Sequence, residues 1–310
     1  MSSALTATRL DLFEATSWSL QREPKELPPV WLYDERGSLL YESITRLPDY
    51  YLPRREAEIL NARAGLIAAQ TEARTLIELG SGSARNTRFL LDALELERFV
   101  PFDVSERMLR TSAGAIAEAY PEVSVEPIVG DFEYDLAALP TEGPRLIALL
   151  GSTIGNLYPQ QRRELLGSLA QELREGDTLL LGLDLVKDVA RLEAAYHDRT
   201  GVTEAFVRNA LAAANRELGA TFEQGRFGYE PRWDPEHEWM DIALRALEAH
   251  VVAVPELKLE LAFRKGERLR VEISSKFRRN AFERELERAE LSVRSWWTDR
   301  RGDFAVALAS

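Results

Sequence analysis

The chain has 310 residues and no cysteine, which excludes disulfide frameworks, thiolate metal sites and cysteine nucleophiles. Its 39 Lys plus Arg and 51 Asp plus Glu give a net charge of −12, which argues against a general nucleic-acid binder because such proteins need clustered cationic surface. The N-terminus has no secretory pattern, and no apolar run reaches the roughly 18 residues of a membrane span. We therefore expect a cytoplasmic monomer that acts on a small molecule, without a nucleic-acid or membrane partner.

Short apolar runs alternate with amphipathic stretches from about residue 74 to residue 186, a pattern typical of βαβ units around a parallel sheet. The predicted strands are 75–80, 99–104, 123–129, 145–151 and 178–185, and the predicted helices are 83–96, 105–120 and 159–174. Pro101 predicts an irregularity or an end in the second strand, and Ser105 is the predicted N-cap of the second helix.

The C-terminal segment predicts a helix at 280–290 followed by a β-hairpin. Two alternating segments, 292–297 and 304–308, are separated by the turn residues 299–303. Together with the strands before it, this hairpin predicts an α/β domain with a mostly parallel, Rossmann-like sheet that ends in an antiparallel pair.

Two regions depart from the βαβ pattern and suggest a second domain. Residues 1–54 are punctuated by prolines, and residues 187–275 contain helices followed by long alternating segments. We expect these two regions to form an α+β substrate-binding lid. The sheet domain then comprises residues 55–186 and 276–310.

The loop after the first strand has the features of a nucleotide site. Gly80 and Gly82 would let a ligand approach the backbone, and Asp103 ends the next strand, where a carboxylate can accept both ribose hydroxyls. Taken singly, the glycines can be a tight turn and Asp103 a simple cap. Their combination within a βαβ unit favours nucleotide binding.

The neighbouring residues favour S-adenosylmethionine over a dinucleotide. Arg85 stands where a dinucleotide site needs a small residue, and Glu78 would repel a pyrophosphate but attract a cation. S-adenosylmethionine has a sulfonium and an ammonium and no phosphate. Asp131 could accept from the adenine amine while Phe132 lies beside the ring. These features together are those of a class I methyltransferase.

The loop after the fourth strand lies where open α/β sheets place reacting groups. Asn156 in this loop can donate and accept hydrogen bonds, so it could hold a substrate carboxylate or amine. A turn and N-cap for the helix at 159 is the alternative interpretation.

The chain resembles the histidine-specific, S-adenosylmethionine-dependent Nα-methyltransferases of ergothioneine biosynthesis, which make trimethylhistidine (hercynine). The resemblance runs through nearly the whole chain. The segments that carry it are Leu27–Ser38, Ile44–Tyr51, Glu78–Ser83, Pro101–Val104, Gly130–Glu133, Leu150–Asn156, Asp184–Asp188, Glu272–Phe277 and Trp296–Asp299.

The resemblance implies a set of substrate residues. Asn156 and Tyr196 would hold the carboxylate of L-histidine, while Glu272 and Ser274 would read its imidazole. Tyr50 would bind the substrate as well. Glu272 and Ser274 are two residues apart, so a strand would point both to one face.

The resemblance also implies the catalytic arrangement. Tyr33, near the amine, and Tyr50 would orient the attacking nitrogen during in-line transfer of the methyl group, repeated three times, with S-adenosylhomocysteine as the product of each transfer. No dedicated general base is required, because enclosure beside a sulfonium favours the neutral amine. The expected cofactor residues are Glu78, Gly80, Gly82, Asn86, Asp103, Asp131 and Phe132.

Two positions depart from the family pattern. Asn86 stands where the family can place a lysine beside the cofactor, and Ile242 replaces a methionine near the imidazole. The histidines at 197, 237 and 250 share no metal-ligand spacing, so we expect no metal. A methyltransferase of the same subfamily with another amino-acid substrate, and a catalytically silent protein that binds S-adenosylmethionine or histidine betaine, are the alternatives.

Overall fold

The computed structural model describes residues 12–310. The first eleven residues of the predicted lid lie outside the described residues. The chain divides into two compact units: the first includes the chain up to Asp49 together with Val189–Ser274, and the second comprises Tyr50–Asp188 and Ser275–Ser310. In the part of the chain that the structure describes, no helix is both long and apolar enough to cross a membrane.

Strands and helices are numbered here in chain order. The strands are β1 (Lys25–Glu26), β2 (Thr75–Leu79), β3 (Arg98–Asp103), β4 (Ser124–Val125), β5 (Ile128–Val129), β6 (Arg145–Leu149), β7 (Thr178–Asp184), β8 (Phe227–Asp234), β9 (Trp239–Ala246), β10 (His250–Val254), β11 (Leu259–Phe263), β12 (Arg268–Ser275), β13 (Val293–Thr298) and β14 (Phe304–Ala309). The helices are α1 (12–20), α2 (Glu35–Ile44), α3 (Leu52–Thr71), α4 (Arg88–Leu91), α5 (Glu106–Ala119), α6 (Pro159–Glu172), α7 (Val189–Tyr196), α8 (Val202–Leu218) and α9 (Arg279–Arg288).

The second unit is built on one sheet with the order β13-β14-β7-β6-β2-β3, beyond which both β4 and β5 pair with β3. Strands β2 to β7 pair in parallel, whereas β14 is antiparallel to β7 and β13 is antiparallel to β14. Every residue of β2, β6 and β7 is buried, as expected of central strands covered on both faces. The predicted α/β fold with its C-terminal hairpin is confirmed.

Pro101 produces the irregularity that its missing N–H predicts. β3 continues through Pro101, which lies opposite Glu78 of β2. The predicted third strand is instead divided into β4 and β5, which pair with Arg98–Phe99 and with Phe102–Asp103 on either side of the proline.

The helix predicted at 83–96 is wrong in its extent, because only Arg88–Leu91 is helical there. Gly80, Gly82 and Ala84 all have positive φ, at 72°, 48° and 49°, and this keeps the chain in turns beyond the glycine loop. Ser105 does precede α5, but its side chain makes no capping bond.

The first unit contains a four-stranded sheet, β1-β12-β9-β8, and the separate antiparallel pair β10-β11. Helix α8 packs against β8 and β9, and α2 packs against α8. At Gly37, α2 lies against the preceding 3-10 turn and against α8, because a Cβ there would lie 1.6 Å from the carbonyl oxygen of Leu32 and 3.0 Å from the Asn209 Nδ2 atom. This mixture of helices and mostly antiparallel strands has the predicted α+β composition.

The division between the units follows packing rather than the predicted boundary at 54/55. Helix α3 packs against β14 and β7, so it belongs to the second unit, which begins at Tyr50 just before this helix. The other divisions, at 188/189 and 274/275, lie within two residues of the predicted ones. The binding role of each unit stays a prediction.

A buried ion cluster in the second unit surrounds Asp184, the last residue of β7. Its carboxylate accepts from the Tyr51 hydroxyl at 2.9 Å and from the Lys276 ammonium at 2.9 Å, and it also pairs with Lys187. Burial lowers the pKa of Lys187, while the Asp184 charge opposes that change. Tyr51, Lys187 and Lys276 each lie within two residues of a point where the chain passes between units.

Candidate functional site

The glycine loop lies against a second predicted cofactor segment and against the predicted substrate loop in the second unit. A Cβ on Gly80 would lie 3.4 Å from the Thr153 Cγ2 atom and 3.7 Å from the Phe132 Cε1 atom. These atoms belong to the loops that follow β2, β6 and β5. The positive φ of Gly80 favours glycine at this position, whereas a Cβ would meet these two neighbours at ordinary van der Waals distances.

Asp103 is tied to the glycine loop by backbone hydrogen bonds. Its Oδ2 atom accepts from the Gly82 N–H at 2.9 Å, and its Oδ1 atom accepts from the Ser105 N–H at 2.9 Å. Burial raises the pKa of Asp103, and these backbone bonds oppose the rise. A carboxylate has about four acceptor positions, so Asp103 can accept further bonds from a ligand.

Asp131 lies in the tight turn after β5. Its Oδ1 atom accepts from the Glu133 N–H at 2.9 Å, while its own N–H donates to Asp135 at 2.9 Å. Burial raises the pKa of Asp131. The turn also needs Gly130, because a Cβ there would lie 2.7 Å from the Phe102 ring.

Glu78 is buried at the carboxyl end of β2. The Thr87 hydroxyl donates to its Oε2 atom at 2.5 Å. Burial raises the pKa of Glu78 to about 8; the Thr87 bond opposes that rise, and the charges of Glu56 and Asp103 add to it. A cationic ligand bound beside Glu78 would lower this pKa and favour the carboxylate form.

Glu56 is a functional candidate that the sequence analysis missed. Its Oε1 atom accepts from the Gly151 N–H at 2.7 Å, and its Oε2 atom accepts from the Asn86 amide at 2.8 Å. Burial raises the pKa of Glu56 to about 7, against the effect of both bonds. The available signal was a glutamate at helical spacing among the buried residues Leu52 and Ile59 of α3.

Asn86 and Asn156 lie in two different loops of the second unit. The Asn86 amide donates to Glu56 and to the Pro53 carbonyl at 3.1 Å. Asn156 ends the short 3-10 turn Thr153–Asn156 after β6. The N-cap alternative for Asn156 is wrong, because Tyr158 occupies the N-cap position of α6.

One predicted catalytic residue and three predicted substrate residues meet in pairs within the first unit. Glu272 of β12 is 8% exposed and accepts from the Tyr33 hydroxyl at 3.2 Å. The Tyr196 hydroxyl donates to Ser274 at 2.7 Å. The Tyr229 hydroxyl of β8 donates to the Tyr196 carbonyl at 2.6 Å. The sequence analysis missed Tyr229, because a tyrosine in an alternating strand gives no distinguishing signal.

The two remaining substrate candidates are buried. Ile242 lies in β9 opposite Pro231 of β8. Tyr50 precedes α3 in the second unit, which also contains Asn156. It stays a prediction which of the expected catalytic and substrate residues contact a substrate; these are Tyr33, Tyr50, Asn156, Tyr196, Ile242, Glu272 and Ser274.

Comparison with known proteins gives a consistent result. The family model described as "Histidine-specific methyltransferase, SAM-dependent" matches residues 13–310. The histidine N-alpha-methyltransferase of Mycolicibacterium smegmatis is 48% identical over 94% of this chain and 92% of its own length. That of Mycobacterium tuberculosis is 48% identical over 98% of this chain and 95% of its own. Ergothioneine biosynthesis protein 1 of Neurospora crassa is 31% identical over 89% of this chain and 32% of its own.

Proposed function

Because the chain belongs to the family of histidine-specific, S-adenosylmethionine-dependent methyltransferases, we propose that it methylates the α-amine of L-histidine. We further propose three successive transfers, which yield trimethylhistidine for ergothioneine biosynthesis. Two curated histidine N-alpha-methyltransferases at 48% identity support the substrate, and the fungal relative supports the pathway. The single observation that carries the choice of histidine is the buried Glu272 with Ser274 two residues away.

Glu272 and Ser274 provide the chemistry that reads an imidazole. A carboxylate accepts from one ring N–H, and a hydroxyl can donate to or accept from the other nitrogen. Tyr33 and Tyr196 hold these two side chains from neighbouring elements. An amino acid without ring nitrogens would leave the buried Glu272 poorly paired, which costs binding free energy.

The residues at the carboxyl ends of β2, β3 and β5 fit the methyl donor. Asp103 is already oriented by two backbone N–H groups and would accept from the ribose hydroxyls. Asp131 and Phe132 would hold the adenine, and Gly80 leaves room for the ligand beside Phe132. Glu78 has no cationic side chain paired with it in the described part of the second unit, so a positively charged ligand would supply the charge that favours its carboxylate form. When bound, S-adenosylmethionine supplies a methyl group on an activated sulfonium.

The tyrosines supply orientation. The Tyr33 hydroxyl donates to Glu272 in the structure, and a substrate amine could take the place of Glu272 as the partner of that hydroxyl. Tyr50 would orient the same nitrogen, and aromatic faces tolerate the growing positive charge. Since the donor is activated, most of the acceleration comes from alignment and exclusion of water.

The test is incubation of the protein with S-adenosylmethionine and each standard amino acid separately, followed by mass spectrometry. A gain of three CH₂ units on histidine alone is the expected result. Methylation of a different amino acid would support the same-subfamily alternative, and binding without any mass gain would support the silent binding protein. A gain that stops at one or two units would refute trimethylation.

The matched control for the substrate assignment uses two glutamates of the first unit. Glu272→Ala should weaken histidine binding and leave S-adenosylmethionine binding intact, whereas Glu256→Ala, on an exposed turn, should change neither. Calorimetry that finds the same histidine affinity in both variants would remove Glu272 from the site.

A further inference from the structure

Glu56 is a buried carboxylate that the proposed function leaves without a role. It lies on the inner face of α3 with Leu52, Ile59 and Leu60, and it is 2% exposed. A carboxylate on an otherwise apolar helical face is costly to bury unless its oxygens have hydrogen-bond partners. The identity of those partners therefore indicates why α3 has a glutamate at position 56.

The two partners of Glu56 come from two loops of the second unit. The Gly151 N–H, at 2.7 Å from Oε1, opens the loop after β6 that leads to Asn156. The Asn86 amide, at 2.8 Å from Oε2, belongs to the segment that follows the glycine loop. One carboxyl group thus links the helix to both loops.

The loop after β6 needs such an external bond. Gly151 and Ser152 follow each other in the left-handed region, with φ of 69° and 61°, and a serine is strained there. Glu56 holds the first of these residues through its N–H, and the Asp184 N–H donates to the Ser152 side chain at 3.0 Å. These external bonds add to the loop's own hydrogen bonds, such as the one from the Thr153 hydroxyl to the Leu150 carbonyl, at the two residues with positive φ.

The neighbouring strand leaves space for this carboxyl. Gly182 of β7 packs against it so closely that a Cβ at 182 would lie 2.2 Å from Glu56 Oε1. A larger residue at position 182 would push the carboxyl away from Gly151. The Glu56 carboxyl is thus held by its hydrogen bonds from Gly151 and Asn86 and by its contact with Gly182 of β7.

We propose that Glu56 is a positioning residue. By accepting hydrogen bonds from both partners, it holds Asn86 and the loop beginning at Gly151 in the conformation that binds S-adenosylmethionine. This inference rests on the proposed function and assigns it one more residue. Glu56 acts through its two partners. Burial raises its pKa to about 7, and in either protonation state one oxygen can accept from the Gly151 N–H. A glutamine should therefore preserve the role.

The test compares Glu56→Gln with Glu56→Leu by calorimetric titration of the full-length protein with S-adenosylmethionine. The glutamine keeps an acceptor for Gly151, and its amide can pair with a rotated Asn86. The leucine is of similar size and leaves the half-buried Gly151 N–H without the Glu56 acceptor. We expect Glu56→Gln to bind within about threefold of the parent and Glu56→Leu to bind about tenfold more weakly or worse.

The control for a merely structural effect is Ile67→Ala on the same helix, three turns further on and fully buried. It should lower the melting temperature and leave the affinity of the folded protein for S-adenosylmethionine unchanged. A double-mutant cycle between Glu56→Leu and Asn86→Ala should be non-additive, because the two side chains act as a unit. If Glu56→Leu does not fold, Gly182→Ala displaces the same carboxyl and should weaken binding in the same way.

Two results would overturn the inference: parent-like affinity in both Glu56→Leu and Gly182→Ala, or equal losses of affinity in Glu56→Leu and Ile67→Ala. These titrations contain no amino acid, so they do not depend on which substrate is methylated. A parent protein that binds S-adenosylmethionine but methylates no amino acid would refute the proposed function while leaving the Glu56 comparison valid.

Discussion

Replacement of Glu78 by glutamine should change how the stability of the protein depends on pH. Burial raises the pKa of Glu78 from 4.5 to about 8. The unfolded chain releases this proton near pH 4.5, whereas the folded protein keeps it until about pH 8. The stabilising contribution of the protonated group is therefore complete at low pH and is lost as the pH rises through this window.

The size of the loss follows from the shift. Each pKa unit corresponds to about 1.4 kcal/mol. The rise from 4.5 to about 8 therefore changes the free energy of unfolding by about 5 kcal/mol across the whole pH range. Between about pH 5.5 and about pH 8.5, Glu78 should cost the parent about 3 kcal/mol of unfolding free energy. Glu78→Gln is uncharged at every pH and lacks this contribution, and it keeps an oxygen that accepts from Thr87.

Urea unfolding at the two pH values measures the difference. The parent should lose about 3 kcal/mol more than Glu78→Gln between them. Glu95→Gln is the control, because that side chain is 92% exposed and should leave the parent slope unchanged. Equal slopes in the parent and Glu78→Gln would refute the conclusion that Glu78 is held protonated by burial.

Three further substitutions test other parts of the molecule. Asp103→Ala should weaken S-adenosylmethionine binding by about tenfold or more, and normal affinity by calorimetry would exclude the ribose role. Tyr33→Phe removes the hydroxyl that donates to Glu272 and should weaken histidine binding without altering cofactor affinity; an unchanged histidine Kd would contradict it. Gly37→Ala would place a methyl group 1.6 Å from the Leu32 carbonyl oxygen and should cost about 3 kcal/mol or more, so parent-like urea unfolding would contradict that packing.

The sheet of the second unit was predictable because its strands are short apolar runs separated by turn residues. The loop after β2 was predictable as well, since the glycines and Asp103 are local signals at a defined spacing. The extent of α4 was not, because the positive φ of Ala84 comes from the path of the loop and not from a residue preference.

The first unit shows where local patterns stop being informative. Tyr33 and Glu272 are 239 positions apart, and nothing in the residues around either one predicts that they meet. Only the family resemblance singled them out. Tyr229 acts through a contact of the same long-range kind and carries no motif, so it became visible only in the folded structure. In the second unit, the one sequence signal for Glu56 was its helical spacing among buried residues of α3.

The ion cluster at Asp184 limits where segments of this chain can be exchanged with those of its relatives. Only five of the 39 basic residues are lysine, and two of these, Lys187 and Lys276, pair with this single carboxylate. They lie just outside the two ends of the segment 189–274. A chimera that exchanges this segment between relatives therefore keeps the ion cluster intact if its junctions fall between 187 and 276. If a junction is moved outward past either lysine, the donor sequence must supply a cation at that position for the buried Asp184 carboxylate. A donor residue without a positive charge would leave this carboxylate less well paired, at a cost of roughly several kcal/mol.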